Sequence, residues 1–204
     1  MSTSDDAALA QEILAFWFGA DPGRPLANAP HWFTQDDAFD AEVRARFAGA
    51  LGRAAQGAFE DWYDWPHTAL ARVILLDQFS RNIHRDSPLA FAQDARARHC
   101  TLVGLARGQE SALSPVQRWF FLLPLMHSES LADQERGLAE FQALAAIPGL
   151  APDVAEALGG VVTYAERHCR AVARFGRFPH RNAVLGRAST PEEVAWLAAH
   201  PEGF

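Results

Sequence analysis

Three short polar segments in this chain carry residue types that can do chemistry, and each follows or interrupts an apolar stretch. The first is Asp77-Gln78-Phe79-Ser80-Arg81-Asn82-Ile83-His84-Arg85, directly after the apolar run Leu70-Ala-Arg-Val-Ile-Leu-Leu76. Asp77, Arg81 and Arg85 are spaced four apart and share a helical face if the helix continues that far, and Asp77 to Arg81 has the acid N-terminal to the base, the favoured order for an ion pair. A guanidinium held by a carboxylate is suited to bidentate recognition of an anion. The second is His127-Ser128-Glu129, which ends the run Trp119-Phe120-Phe121-Leu122-Leu123-Pro124-Leu125-Met126. The third spans residues 167–187, which hold Arg167, Arg170, Arg174, Arg177, Arg181 and Arg187 with His168 and His180, and no Asp or Glu. Acids elsewhere in the chain must offset that charge, or an anion must visit it. Within it, Gly176-Arg-Phe-Pro-His-Arg-Asn-Ala-Val-Leu-Gly-Arg187 alternates arginines with apolar anchors. A constrained loop of that kind can present donors in fixed positions.

Histidine is the side chain that titrates unaided near neutrality, so His127 and His180 are the candidate general acids or bases. Asp77, Arg81, Asn82, Glu129, His168, Arg177, Arg181 and Asn182 are the candidate ligand-binding residues. Arg81 and Arg181 are expected to line one cleft, because each begins an Arg-Asn pair closely preceded by Phe, at Phe79 and Phe178. The opposing expectation for the whole set is a structural polar network that ties helix ends together. No metal or cofactor is expected. His-x-Glu alone is not a zinc signature, and the chain has no His-Glu-x-x-His. It also lacks a Gly-rich phosphate loop, a Gly-x-Ser-x-Gly elbow and a dinucleotide fingerprint. Ser128 between His127 and Glu129 does not make a triad, since sequence neighbours on a helix point in different directions.

The elements that must position these residues are helices. Of the 204 residues, 39 are Ala, the strongest helix former, and all 18 basic residues are Arg. Ser87-Pro88, Ser114-Pro115 and Thr190-Pro191 each pair an N-cap with Pro at the first helical position, and Gln117 and Glu193 complete capping boxes for the last two. Ser4, Thr34 and Ser130 read as further caps, and Pro66 and Pro152 suit first turns. The pattern predicts eight helices over 5–18, 35–56, 66–82, 88–107, 115–128, 131–146, 152–175 and 191–199. No segment alternates like a strand, so no sheet is expected. Pro124 is expected to kink its helix. The connectors 19–34 and 176–189 are long for a compact helical domain, and Trp32-Phe33 is the aromatic pair best placed to line a cleft. The whole chain reads as one helical domain, 1–204, with residues 1–4 flexible.

Composition narrows the function. Charged residues are 21% and apolar residues 49%, an ordinary globular mixture. Eighteen bases against 25 acids give a net charge of −7, wrong for a general nucleic-acid binder. Two cysteines, Cys100 and Cys169, are too few for a disulfide scaffold. A polar, acidic start and the absence of a long apolar run point to a soluble cytoplasmic protein with no membrane partner.

Several segments together carry a resemblance. Phe16-Trp17-Phe18-Gly19, Trp32-Phe33, Leu76-Asp77-Gln78-Phe79-Ser80-Arg81-Asn82, Pro124-Leu125-Met126-His127-Ser128-Glu129, Gly176-Arg177-Phe178-Pro179-His180-Arg181-Asn182 and Leu185-Gly186-Arg187 occur in the order seen in the bacterial domain-of-unknown-function family 924. The chain resembles that family over about residues 10–200. It departs from the usual pattern at Ser80, where Pro is common, at His84, where an aromatic is common, and at Asp86, where Gly is common. The resemblance implies an all-α, irregular tetratricopeptide-like array and no assigned activity. The residues themselves suggest two roles. One is a cleft for a small anionic or zwitterionic molecule, with or without catalysis. The other is an interaction module for an acidic or C-terminal peptide segment.

Overall fold

The computed structural model describes residues 3–200. Every regular element among them is helical. Of the start expected to be flexible, residues 1 and 2 lie outside the described residues, and the first helix, α1 (Thr3–Phe18), already includes Thr3. The chain divides into two compact units, Met1–Arg85 with Leu89–Pro124, and Asp86–Pro88 with Leu125–Phe204.

The first unit is built on α1, α2 (Asp37–Ala55), α3 (66–83), α4 (Asp94–Ala106) and most of α5 (Pro115–Met126). Helix α2 starts later than its sequence suggests, because Asp36 and not Thr34 is the cap: its carboxylate accepts from the Ala38 and Phe39 amides. The expected helix 88–107 is interrupted. Ser87-Pro88 heads only a 3-10 turn, Pro88–Phe91, and α4 begins afresh at Asp94. Ser114 and Gln117 do form the reciprocal cap of α5, through Ser114 N–H to Gln117 Oε1 at 3.0 Å and Gln117 N–H to Ser114 Oγ at 3.4 Å. Helix α5 runs on through Pro124, and the division between the two units falls just after that residue.

Helix α3 carries the first polar segment and sits deepest. From Ala69 to Phe79 every residue is buried, the polar Arg72, Asp77 and Gln78 along with the apolar ones. Its middle, Ile74–Phe79, is π-helical, between α-helical Pro66–Val73 and Ser80–Ile83. Helix α3 ends at Ile83, and Asp86 then takes a positive φ of 58°, at the position where glycine is common in the resembling family. Around α3, Phe16, Trp17, Phe47, Phe79 and Phe120 make edge and stacked ring contacts 4.6–5.9 Å apart. Trp32 joins them, donating its indole N–H to the Trp17 carbonyl at 2.9 Å, whereas Phe33 is exposed and stacks on Trp119.

The second unit contains a helical hairpin, α6 (Leu131–Ala145) and α7 (Pro152–Phe175), then the 176–189 loop and α8 (Pro191–Ala199). The start of α6 is not capped by the Ser130 side chain. Ser128 supplies the hydroxyl instead, accepting from the Ser130 amide and donating to the Asp133 carboxylate at 2.6 Å. The α6 helix packs closely at Gly137, where a Cβ would stand 3.0 Å from that of Leu125. Helix α7 ends at Gly176, whose left-handed φ of 67° starts the loop. The loop is anchored by the 3-10 turn Pro179–Arg181 and by the α8 capping box, in which Thr190 and Glu193 bond reciprocally.

Candidate functional site

The ten residues singled out by sequence fall in two sets. Asp77, Arg81 and Asn82 belong to the first unit, and His127, Glu129, His168, Arg177, His180, Arg181 and Asn182 to the second.

In the first unit, the π-helical stretch places the Asp77 carboxylate out of solvent, where it accepts from Gln78 Nε2 at 2.5 Å and pairs with Arg81 at 3.0 Å. Arg81 also forms a two-pronged pair with Asp94, at 3.0 and 3.1 Å. Burial of Arg81 works against its charge, but Asp77 and Asp94 outweigh it and raise its pKa. Asn82 and Arg85 converge on Asp40 in the first turn of α2. Asn82 Nδ2 donates at 2.7 Å, and Arg85 Nε and Nη2 donate at 2.6 and 2.9 Å. Burial raises the Asp40 pKa, and the Arg85 and Asn82 bonds more than reverse that. These contacts tie the end of α3 to α2 and α4, which is the work of a structural network.

In the second unit, the loop arginines also find acids. Arg177 grips Glu193 with Nε at 2.7 Å and Nη2 at 2.8 Å. Those bonds, reinforced by the Thr190 amide and Asn182, hold the buried Glu193 carboxyl down to about 2. Asn182 donates to Ser189 Oγ and Glu193 and accepts from Arg187 Nε. Arg187 forks onto Glu129 at 2.7 and 2.9 Å, and Glu129 also accepts the Phe178 amide at 2.8 Å. Burial raises the Glu129 pKa, but Arg187 and the Phe178 N–H bring it below the usual carboxylate range. Two more arginines of the basic stretch pair on the surface, Arg170 with Glu166 and Arg174 with Glu192. Arg167 lies over the Tyr164 ring.

What remains is a cluster around Phe178, which is fully buried. The Arg181 guanidinium lies 4.5 Å from the centre of that ring and donates to the His127 carbonyl at 3.0 Å; the residue is 6% exposed. The His168 ring meets Phe178 edge-on with centroids 5.3 Å apart, and the His180 ring is tilted against it at 5.7 Å. His168 Nδ1 lies 2.8 Å from the Tyr164 carbonyl, which can only accept, so Nδ1 carries the proton in the neutral ring. Burial, more than the opposing Tyr164 bond, pushes His168 down to about 3, and His127, Arg181 and His180 add to the fall. His180 is also lowered, by the protein packed around it and then by Arg181; its side chain is exposed, and water limits the size of that shift. At neutral pH the cluster therefore presents a permanent cation beside imidazole rings kept neutral. Among the described residues no three His, Cys, Asp or Glu side chains gather as metal ligands.

Sequence reasoning missed the partners. Asp40, Asp94, Glu193 and Arg187 are as central to these networks as the residues singled out. Glu193 carried a signal in its capping-box position after Thr190, and Arg187 in the basic stretch and the Leu185-Gly186-Arg187 segment, but neither signal named the partner. Asp40 and Asp94 lie 42 and 13 residues from their partners, beyond any local spacing rule.

Comparison with known proteins adds the family and a fold. The model of a bacterial protein family of unknown function, DUF924, matches residues 13–200. A solved structure, of the protein of unknown function ATU0120 from Agrobacterium tumefaciens, is 37% identical and superposes with a TM-score of 0.80, covering 95% of this chain and 98% of that one. No curated protein matches the chain.

Proposed function

We propose that this chain, which belongs to the bacterial DUF924 family, binds a small anionic molecule at the cluster of Arg181, His127, His168 and His180. The observation that carries the reading is the packing of the Arg181 guanidinium and the His168 and His180 rings around the one buried Phe178 ring, with Arg181 also bonded to the His127 carbonyl. Burial is the main reason these two rings stay neutral and Arg181 adds to it, and the guanidinium charge favours an anion placed beside it. The guanidinium supplies planar paired donors, and a neutral imidazole supplies an N–H without a second buried charge. Arg177, Asn182, Glu129 and Arg187 hold the loop that carries Arg181 and are positioning residues. A small molecule, not nucleic acid, is the partner that suits a chain of net charge −7.

Thermal melts with inorganic phosphate, citrate and succinate at fixed ionic strength test this. At about 100 times the dissociation constant, a bound anion stabilises by ~2.7 kcal/mol, a rise of roughly 5–10 °C for a chain of this size. The rise is expected in the wild type and absent in Arg181→Gln. His180→Ala, which alters an exposed side chain, should reduce it while leaving the ligand-free melt near that of the wild type. No shift with any of the three anions, or an undiminished shift in a folded Arg181→Gln variant, overturns the reading.

A further inference from the structure

A cavity of about 280 Å³ opens within the first unit, between α2, the end of α3 and the segment that follows it. It is separate in composition from the histidine cluster, because no Asp, Glu or Arg lines it. Ala48, Gly52 and Ala55 form one wall. They are spaced four and three residues apart, so they share a face of α2, and their small side chains leave the space open. The apolar lining is completed by buried Leu51 and Ile83 and by Leu89, which is 55% exposed. Polar groups come from Ser80, His84 and Gln93. Ser80 is fully buried, and its hydroxyl donates to the Leu89 carbonyl at the long distance of 3.3 Å.

Gly52 lines the cavity from inside a helix and is itself exposed. A Cβ built on it would meet nothing within 4 Å, so a larger side chain fits there without displacing atoms of this chain.

We propose that this cavity is a binding site for a small uncharged organic molecule, with its apolar body against Leu51, Ile83 and Leu89 and a hydrogen-bonding head toward His84 and Gln93. The volume is about nine water volumes, which suits a molecule of roughly nine heavy atoms. The lining has apolar walls and a few polar groups, the usual make-up of a small-molecule site. No Arg lines the cavity to fork onto a carboxylate, so alcohols and phenols are favoured over carboxylates.

The probes are 1-hexanol, p-cresol and hexanoate, titrated into the full chain and followed by ligand-observed nuclear magnetic resonance. Saturable binding of 1-hexanol and p-cresol is expected, with hexanoate weaker by about tenfold or more. Gly52→Leu should weaken both uncharged probes by about tenfold or more while the melting temperature does not fall, since leucine favours the helix. Ala48→Leu, on the same wall, carries the same expectation and serves if Gly52→Leu does not fold. Arg181→Gln should leave hexanol binding unchanged, which separates this site from the anion site. Absence of saturable binding by the uncharged probes, full affinity in the folded wall variants, or hexanoate binding as tightly as hexanol each overturns the proposal.

Discussion

The arginines at and just beyond the end of α3 and those of the 176–189 loop look alike in sequence and differ in what they contact. Arg81 on α3 and Arg85 just beyond its end each meet a carboxylate with two nitrogens, Asp94 and Asp40 respectively, and Asn82 shares the second acid. In the loop, Arg177 and Arg187 do the same with Glu193 and Glu129, but Arg181 lies between them against an aromatic ring, among histidines. An arginine forked onto a buried acid is a fastener. Arg181 is instead held by an aromatic ring and a backbone carbonyl, beside histidines kept neutral mainly by burial.

The comparison breaks first at Asp40. Replacing it with alanine removes the acid that Arg85 and Asn82 share; Arg85 is partly exposed and can turn to water, so the cost is about 2–3 kcal/mol, most of it from the buried Asn82. A chemical denaturation series should register that loss, and a loss under about 0.5 kcal/mol would remove the fastener reading of α3. Gly104→Ala follows. A Cβ there would lie 2.4 Å from Phe121 Cζ and 2.9 Å from Gln109 Oε1, so overpacking should cost roughly 1–3 kcal/mol by the same measurement. Gly52→Ala is the opposite case, a glycine in a helix with open space around it, and should stabilise by about 0.5–1 kcal/mol.

Acid separates the two kinds of site. His168 falls from 6.5 to about 3 on folding, so the unfolded chain takes up its proton first. Its stabilising contribution is complete above pH 6.5 and is lost as the pH falls toward 3. Glu193, held at about 2 against 4.5, contributes fully above pH 4.5 and loses its contribution only below that. Between pH 6.5 and 5 the decline should therefore belong to the histidine cluster, be about 1 kcal/mol or less for this partly exposed ring, and flatten in His168→Gln. A decline of equal size in that variant would assign it elsewhere.

Much of the fold was legible because its signals are local. Pro66, Pro152 and the Thr190-Pro191-Glu193 cap mark helix starts within a few residues, and all three helices begin there. Where the signal misled, a nearby competitor won: Asp36 capped in place of Thr34, and Ser128 served in place of Ser130. The π-helical turn at Ile74–Phe79 has no such local mark, since the run reads as an ordinary buried helix. The candidate site was legible as a set of residue types and not as a set of pairs. Nothing in the spacing joins Arg187 to Glu129 across 58 residues, and without that bond the loop's net charge looks larger than the structure leaves it.

The central claim, that the Arg181 cluster takes an anion, is tested most directly by proton uptake. An anion bound beside Arg181 places a negative charge next to His168 and His180, raises their pKa values and draws protons from solution. Calorimetric titration of the phosphate, citrate or succinate that shifts the melt, at pH 6 in two buffers of different ionisation enthalpy, measures that uptake. The account predicts a net gain of protons by the protein on binding, lost in His180→Ala combined with His168→Gln. Binding with no proton gain in the wild type, or the same gain in the double variant, would contradict it.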